Sequence, residues 1–109
     1  MPIAHCIVQA DCVSGTEDVV ALWTQQSGVS SEHMTVNLVQ AQHQFGKAYK
    51  VMATLYLPSL WSRDKVDDLQ LGLAKALADY FSIELSDVHV ITTIVVSGNV
   101  VESGEIERW

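Results

Sequence analysis

Residues 27–39 read SGVSSEHMTVNLV, and residues 81–95 read FSIELSDVHVITTIV. Each stretch leaves a helix-like segment, crosses a few Ser, Glu and Asp residues, and enters a run of alternating or continuous apolar residues. Two helix-to-strand junctions of the same design, 54 positions apart by their first residues (81 minus 27), imply a chain built twice.

Working outward from the first junction, Val19, Val20, Leu22 and Trp23 belong to a helix that Gly28 ends, glycine being the residue that tolerates the left-handed conformation past a helix terminus. Ser14-Gly15-Thr16-Glu17 has the spacing of a capping box ahead of that helix. Residues 3–8, Ile-Ala-His-Cys-Ile-Val, form the strand before it, and Met34 to Val39 the strand after it. Around the second junction, Val51 to Leu57 is a strand ended by Pro58, and Ser62 caps a helix beginning near Arg63 or Asp64. Val66, Leu69, Leu73, Leu77 and Tyr80 fall three or four apart and make one apolar stripe on that helix. Val88 to Val96, rich in Ile, Val and Thr, reads as the longest strand.

A β-α-β crossover makes parallel, right-handed neighbours. The expected fold is therefore α+β: two β-α-β units, about residues 1–45 and 46–109 of a single domain, forming a four-stranded sheet with both helices on one face. The strands carry Ile, Val, Met and Leu at both parities, which suits burial on both sides. One copy has no third layer for the second face, so self-association is expected. The segment between the halves, QAQHQFGKAYK at 40–50, reads as a hairpin or subunit contact with Gly46 at its turn.

The composition narrows the partners. The 109 residues are 49% hydrophobic and 17% charged, enough apolar content for one core and too few charges for disorder. A formal net charge of −7 argues against nucleic acid or an anionic membrane surface, which call for clustered Lys and Arg. No apolar run approaches the roughly 18 residues of a membrane span, and no basic-then-apolar leader opens the chain. Cys6 and Cys12 lie outside any metal spacing and are expected to be reduced thiols of a cytoplasmic protein. His5 and His89 sit on strands that could be neighbours, but no third metal ligand accompanies them, so no metal or other cofactor is expected.

The opening Met1-Pro2-Ile3-Ala4-His5-Cys6-Ile7-Val8 puts proline directly before a strand. A proline lacks the N–H of a sheet ladder, so a strand start is an ordinary place for it. Initiator methionine is commonly removed ahead of a small second residue, and the product would begin with a secondary amine held by a strand.

An amino-terminal proline opening the first strand, followed by two β-α-β units in about 110 residues, resembles the tautomerase superfamily over essentially the whole chain. The cis-3-chloroacrylic acid dehalogenase group is the nearest branch by three features. Pro2 stands at the position of the catalytic proline. SSEHMTVNL places His33 just before the second strand, where that group carries a substrate-binding histidine. NVVESGEIERW places Glu102 in a Val-Glu-x-Gly setting similar to that of the group's water-activating glutamate. The sequence departs from the pattern before the second helix, where SLWSRDKVDD offers Arg63 and Lys65 in place of an Arg-x-x-Arg pair, and at Ile91, which stands in place of a tyrosine. Lys supplies the charge of an Arg but not its bidentate fork. The inhibitory-factor branch of the superfamily fits less well, since Val29 and Ile91 stand where it has lysine and asparagine.

The resemblance implies a homotrimer acting on a small anionic 2-oxo or unsaturated carboxylic acid, with Pro2 and Glu102 catalytic and His33, Arg63 and Lys65 binding substrate. Burial and a nearby cation would lower the pKa of the Pro2 amine towards neutrality, where it works best as an acid–base group. Keto–enol tautomerisation needs only Pro2; addition of water to an unsaturated acid also needs Glu102. Each residue has a plainer reading beside this one: Glu102 a solvated carboxylate like Glu105 and Glu107, His33 a helix–strand hinge, Lys65 a surface charge. Arg63 in the first turn of a helix opposes the helix dipole, which suits a residue held there for an anion. Trp23 and Trp61 are placed to fill the core or an interface, with Trp61 also able to wall the pocket, and Trp109 to cover a neighbour or fray. The alternative to an enzyme is an oligomeric binding module that retains the fold.

Overall fold

The computed structural model describes residues 1–109. In chain order the elements are β1 (Ile3–Val8), α1 (Val19–Ser27), β2 (Thr35–Gln40), β3 (Val51–Pro58), α2 (Arg63–Phe81), β4 (Val88–Val95), β5 (Val100–Glu102) and β6 (Glu105–Glu107). One-turn 3-10 helices, Ser31–His33 and Leu85–Asp87, occupy matching places just before β2 and β4. The two junctions that look alike in sequence are therefore alike in structure.

The main sheet has the order β2-β1-β3-β4. β1 and β2 run parallel with Ile3 opposite Thr35, and β3 and β4 run parallel with Val51 opposite Val88. The halves meet at the centre through antiparallel β1 and β3, with Ile3 opposite Tyr56 and Val8 opposite Val51. This is the α+β arrangement of two β-α-β units that the sequence predicts. β3 and β4 are equally long, eight residues each. Because β3 separates β1 from β4, His5 and His89 are not on neighbouring strands.

The register sorts each strand into two faces. Ala4, Cys6, Val8, Val51, Ala53, Leu55 and Leu57 point inward and are buried against the helices. On α2 the stripe Val66, Leu69, Leu73 and Leu77 is buried; Phe81 closes it, with the half-buried Tyr80 ring edge-on at 4.8 Å. Trp23 is fully buried, and its Nε1 donates to the Leu69 carbonyl at 2.9 Å, joining α1 to α2. The helices approach closely at Gly72, where a Cβ would lie 2.9 Å from the Ser27 backbone nitrogen. The other sheet face carries Ile3, His5 and Ile7 of β1, Met52, Thr54 and Tyr56 of β3, and His89, Ile91 and Thr93 of β4, with no layer over it.

Several local expectations are corrected. α1 is capped not by Ser14–Glu17 but by Asp18, whose carboxylate accepts from the Val20 amide at 2.8 Å. Gly28 does end it, at φ 73°, donating to the Thr24 carbonyl. Ser62 caps α2 as predicted, accepting from the Lys65 amide. Residues 41–50 contain no strand, so the inter-half hairpin is absent, although Gly46 does turn there at φ 88°. A hairpin forms instead at the C-terminus, where Glu102 lies opposite Glu105. Ser103 and Gly104 both have positive φ, 53° and 77°, the pattern of a two-residue type I′ turn. Trp109 does not fray: its backbone N–H donates to Ser97 Oγ at 2.8 Å and its Nε1 to Ser59 Oγ at 2.9 Å. Both cysteines are free thiols.

Candidate active site

Pro2 is buried at the mouth of β1, and its carbonyl accepts the Thr35 N–H at 3.0 Å. That bond extends the β1–β2 ladder by one step and needs no N–H from the proline, which is why this residue type fits here. On the neighbouring segment Ser30 accepts from the Glu32 amide and starts the 3-10 turn that ends with His33. The same parallel pairing that places Pro2 beside Thr35 therefore places His33 beside the amino terminus.

A cavity of about 290 Å³ opens there, lined by Pro2, Val29, His33, Trp61 and Lys65 together with Met1. A wider groove of about 540 Å³ adjoins it, lined by His33, Glu102, Glu107, Arg108 and Trp109, again with Met1. Met1, Glu32 and His33 line both spaces. Burial pushes the pKa of the Met1 amino group down, opposed by the Glu107 and Glu102 carboxylates. The start of the chain thus stands between the proline cavity and the carboxylates of the C-terminal hairpin.

Four of the five predicted residues, Pro2, His33, Lys65 and Glu102, border this pair of spaces. Arg63 borders neither: its Nη2 donates to Asp67 Oδ1 at 2.6 Å, one turn along α2, and holds the Asp67 carboxyl below its usual pKa. The charge placed against the helix dipole is thus answered within the helix. Trp61 walls the cavity as expected. Arg108 is the basic residue that sequence reading passed over. It makes no ion pair, and a Cβ on Gly98 would come within 3.2 Å of its Nη1. The available signal was the Ser-Gly turn in VESGEIE, which folds the tail back and carries Arg108 to the groove. No group of three or more His, Cys, Asp or Glu side chains could hold a metal ion.

Around the smaller cavity stand the Pro2 ring, the His33 imidazole, the Lys65 ammonium and the Glu32 carboxylate, with the Glu102 carboxylate in the adjoining groove, so both spaces mix cationic and anionic groups.

No family model matches the sequence, and neither does any curated protein. Solved structures do match, over nearly the whole chain. A fused 4-OT described as a symmetric trimer aligns with TM-score 0.78 and 11% identity, covering 97% of this chain and 95% of that one. N1, a member of the cis-3-chloroacrylic acid dehalogenase family, aligns with TM-score 0.75 and 16% identity over 97% of this chain and 83% of its own. Pt0534, inactivated by 2-oxo-3-pentynoate, aligns with TM-score 0.74 and 16% identity over 97% and 96%. The chain therefore has the fold of the tautomerase superfamily, with neighbours that include the dehalogenase branch.

Proposed function

We propose that this chain is a tautomerase-superfamily enzyme that uses the nitrogen of Pro2, freed by removal of Met1, as an acid–base group on a small 2-oxo or unsaturated carboxylic acid. The observation that carries the reading is the position of Met1, flanked on one side by the cavity of Pro2, His33 and Lys65 and on the other by the groove of Glu102. Loss of that one residue turns an amide nitrogen into a secondary amine and joins the two spaces around it.

In ketonisation, the enol hydroxyl of the acid gives up a proton and the adjacent carbon gains one, with the Pro2 nitrogen carrying the proton delivered to carbon. His33 and Lys65 hold the anionic oxygens and stabilise the charge of the enolate. In hydration, Glu102 takes a proton from water, the water oxygen bonds to the β-carbon, and protonated Pro2 delivers its proton to the α-carbon. Tautomerisation ranks first because it needs the fewer groups, and because Ile91 offers no hydroxyl to the second reaction.

The working form is a homotrimer in this reading. The outer sheet face has no layer over it, and its charged or titratable members are confined to His5, His89 and Tyr56 on the three strands named above. On the C-terminal hairpin the facing pair Val101 and Ile106 is 67% and 54% exposed, an apolar patch on a two-stranded ribbon that is marginal by itself. A further copy of the chain supplies cover for both.

The test joins mass and chemistry. Intact mass should show loss of Met1, and 2-oxo-3-pentynoate should add once, by conjugate addition of the Pro2 nitrogen to the alkyne. Phenylenolpyruvate ketonisation should depend on Pro2 and be blocked by that label. Retained Met1 with no label would instead support a binding module that keeps the fold.

A further inference from the structure

The C-terminal hairpin has little packing of its own to hold it in place. β5 and β6 form a separate two-stranded sheet, and every residue from Val101 to Trp109 is exposed. A two-stranded ribbon with no buried face is marginal in water. Yet this ribbon and its tail carry Glu102, Glu107 and Arg108 along the groove that Met1 and His33 also line. Its position therefore rests on the few bonds that tie it to the body of the chain.

Those bonds gather at the base of the ribbon. The Gly98 N–H donates to the Glu107 carbonyl at 3.0 Å and closes the ribbon onto the turn that follows β4. The Trp109 backbone N–H donates to Ser97 Oγ at 2.8 Å, in the same turn. The Trp109 indole reaches further: its Nε1 donates to Ser59 Oγ at 2.9 Å, across 50 positions of sequence. Ser59 directly follows β3, and its own N–H donates to the Val95 carbonyl at the end of β4. The acceptor thus stands on the rigid end of the main sheet, while the donor belongs to the tail.

We infer that Trp109 is a positioning residue: its indole, anchored on Ser59, holds the C-terminal hairpin so that Glu102 stays at the groove beside the amino terminus. An indole is a rigid ring with a polar handle, so one directed bond at Nε1 and one at the backbone N–H fix ring and chain together. Glu102 lies at the turn end of the ribbon, opposite Glu105, so slack at the base is largest where the carboxylate sits. The role of Glu102 in water addition is taken from the proposed function; the anchor itself does not depend on it.

The experiment uses Ser59→Ala in the full chain, which removes the acceptor and leaves the groove-lining side chains in place. Ser59→Thr restores a hydroxyl. In hydrogen exchange read by mass spectrometry, residues 100–109 should exchange about 3- to 10-fold faster in Ser59→Ala, the scale of one hydrogen bond. β1 and β3 should be unchanged, and Ser59→Thr should return to the parent rate. Trp109→Phe keeps a ring and loses the Nε1–H, so it should match Ser59→Ala. The double variant should exchange no faster than either single one, because both remove the same bond.

Turnover separates positioning from general damage. Hydration of propiolate puts the water oxygen on the β-carbon and a proton on the α-carbon, and the product ketonises to 3-oxopropanoate. Its kcat should fall by about 3-fold or more in Ser59→Ala and recover in Ser59→Thr, while phenylenolpyruvate ketonisation, which does not use Glu102, stays within about 2-fold. Sedimentation should give Ser59→Ala the mass of the parent. Unchanged exchange over residues 100–109, effects that add in the double variant, a parallel fall of both activities or an altered mass overturns the inference. A parent that ketonises but never hydrates removes the reaction for which Glu102 is held and overturns it too. If exchange responds as expected and the parent performs neither reaction, the anchor stands and the proposed function falls.

Discussion

The Thr35 amide donates to the Pro2 carbonyl at 3.0 Å, so the residue proposed to carry the chemistry is tied into the same ladder that joins β1 to β2. The tie runs through the carbonyl and does not involve the nitrogen. Pro2→Ala should therefore keep the fold while reducing phenylenolpyruvate ketonisation by about 10²-fold or more, the usual scale of a positioned acid–base group. Circular dichroism and steady-state kinetics on the same preparation separate the two effects.

The Arg63–Asp67 pair predicts a dispensable arginine. Arg63→Ala should leave KM for a 2-oxo acid within about 2-fold, whereas Lys65→Ala should raise it; a large effect at Arg63 would return that residue to the site. The pair also has a pH signature. Its hydrogen bond lowers the Asp67 pKa from the ordinary 3.8, so its contribution is complete above that value and is lost as pH falls through the lower folded value. Carboxyl NMR should show a depressed Asp67 midpoint in the parent and an ordinary one in Arg63→Ala.

Gly72 tests the helix crossing. In an exposed helix, Gly→Ala stabilises by about 1 kcal/mol. Here the new methyl would meet Ser27 backbone and side-chain atoms at 2.9–3.0 Å. Overpacking of this kind should dominate, and Gly72→Ala should lower unfolding free energy by about 1–3 kcal/mol in urea titrations.

Ile91 tests the open sheet face. It is 54% exposed in the single chain, where a charge would be tolerated. If copies cover that face, Ile91→Lys buries an ammonium and should shift the species from three 12.0 kDa chains to one in sedimentation. An unchanged mass would place the interface elsewhere.

The thiols should differ in reactivity. Burial pushes the Cys6 pKa up to about 12, while Cys12 is partly exposed, with burial and Asp11 raising its pKa. Alkylation of the native protein near pH 8 should be confined to Cys12, and Cys6 should react only after unfolding, since the thiolate is the nucleophile.

What the sequence determined by itself is the plan of the fold. Gly28, Ser62 and Pro58 are punctuation whose effect is local, and the Val66-to-Leu77 stripe and the apolar strands set which faces must be buried. Those signals suffice for two β-α-β units. Pro2 and His33 were legible as residues at the starts of the first and second strands, and the family resemblance rather than spacing pointed to them as one site. The tertiary structure alone decided the rest. Asp18 displaced Ser14 as the cap because α1 begins only at Val19, where Asp18 and not Ser14 reaches the free Val20 amide. The order β2-β1-β3-β4 put β3 between His5 and His89, which periodicity does not record. The Ser103–Gly104 turn reversed the tail and brought Glu107 and Arg108 back to the groove that Glu102 and Met1 line. Whether Arg63 faces a ligand or Asp67 is a rotamer choice between two partners, and whether an indole N–H finds an acceptor depends on atoms distant in the chain. Local sequence specifies elements and buried faces; the partners of long polar side chains are settled only when those elements are assembled.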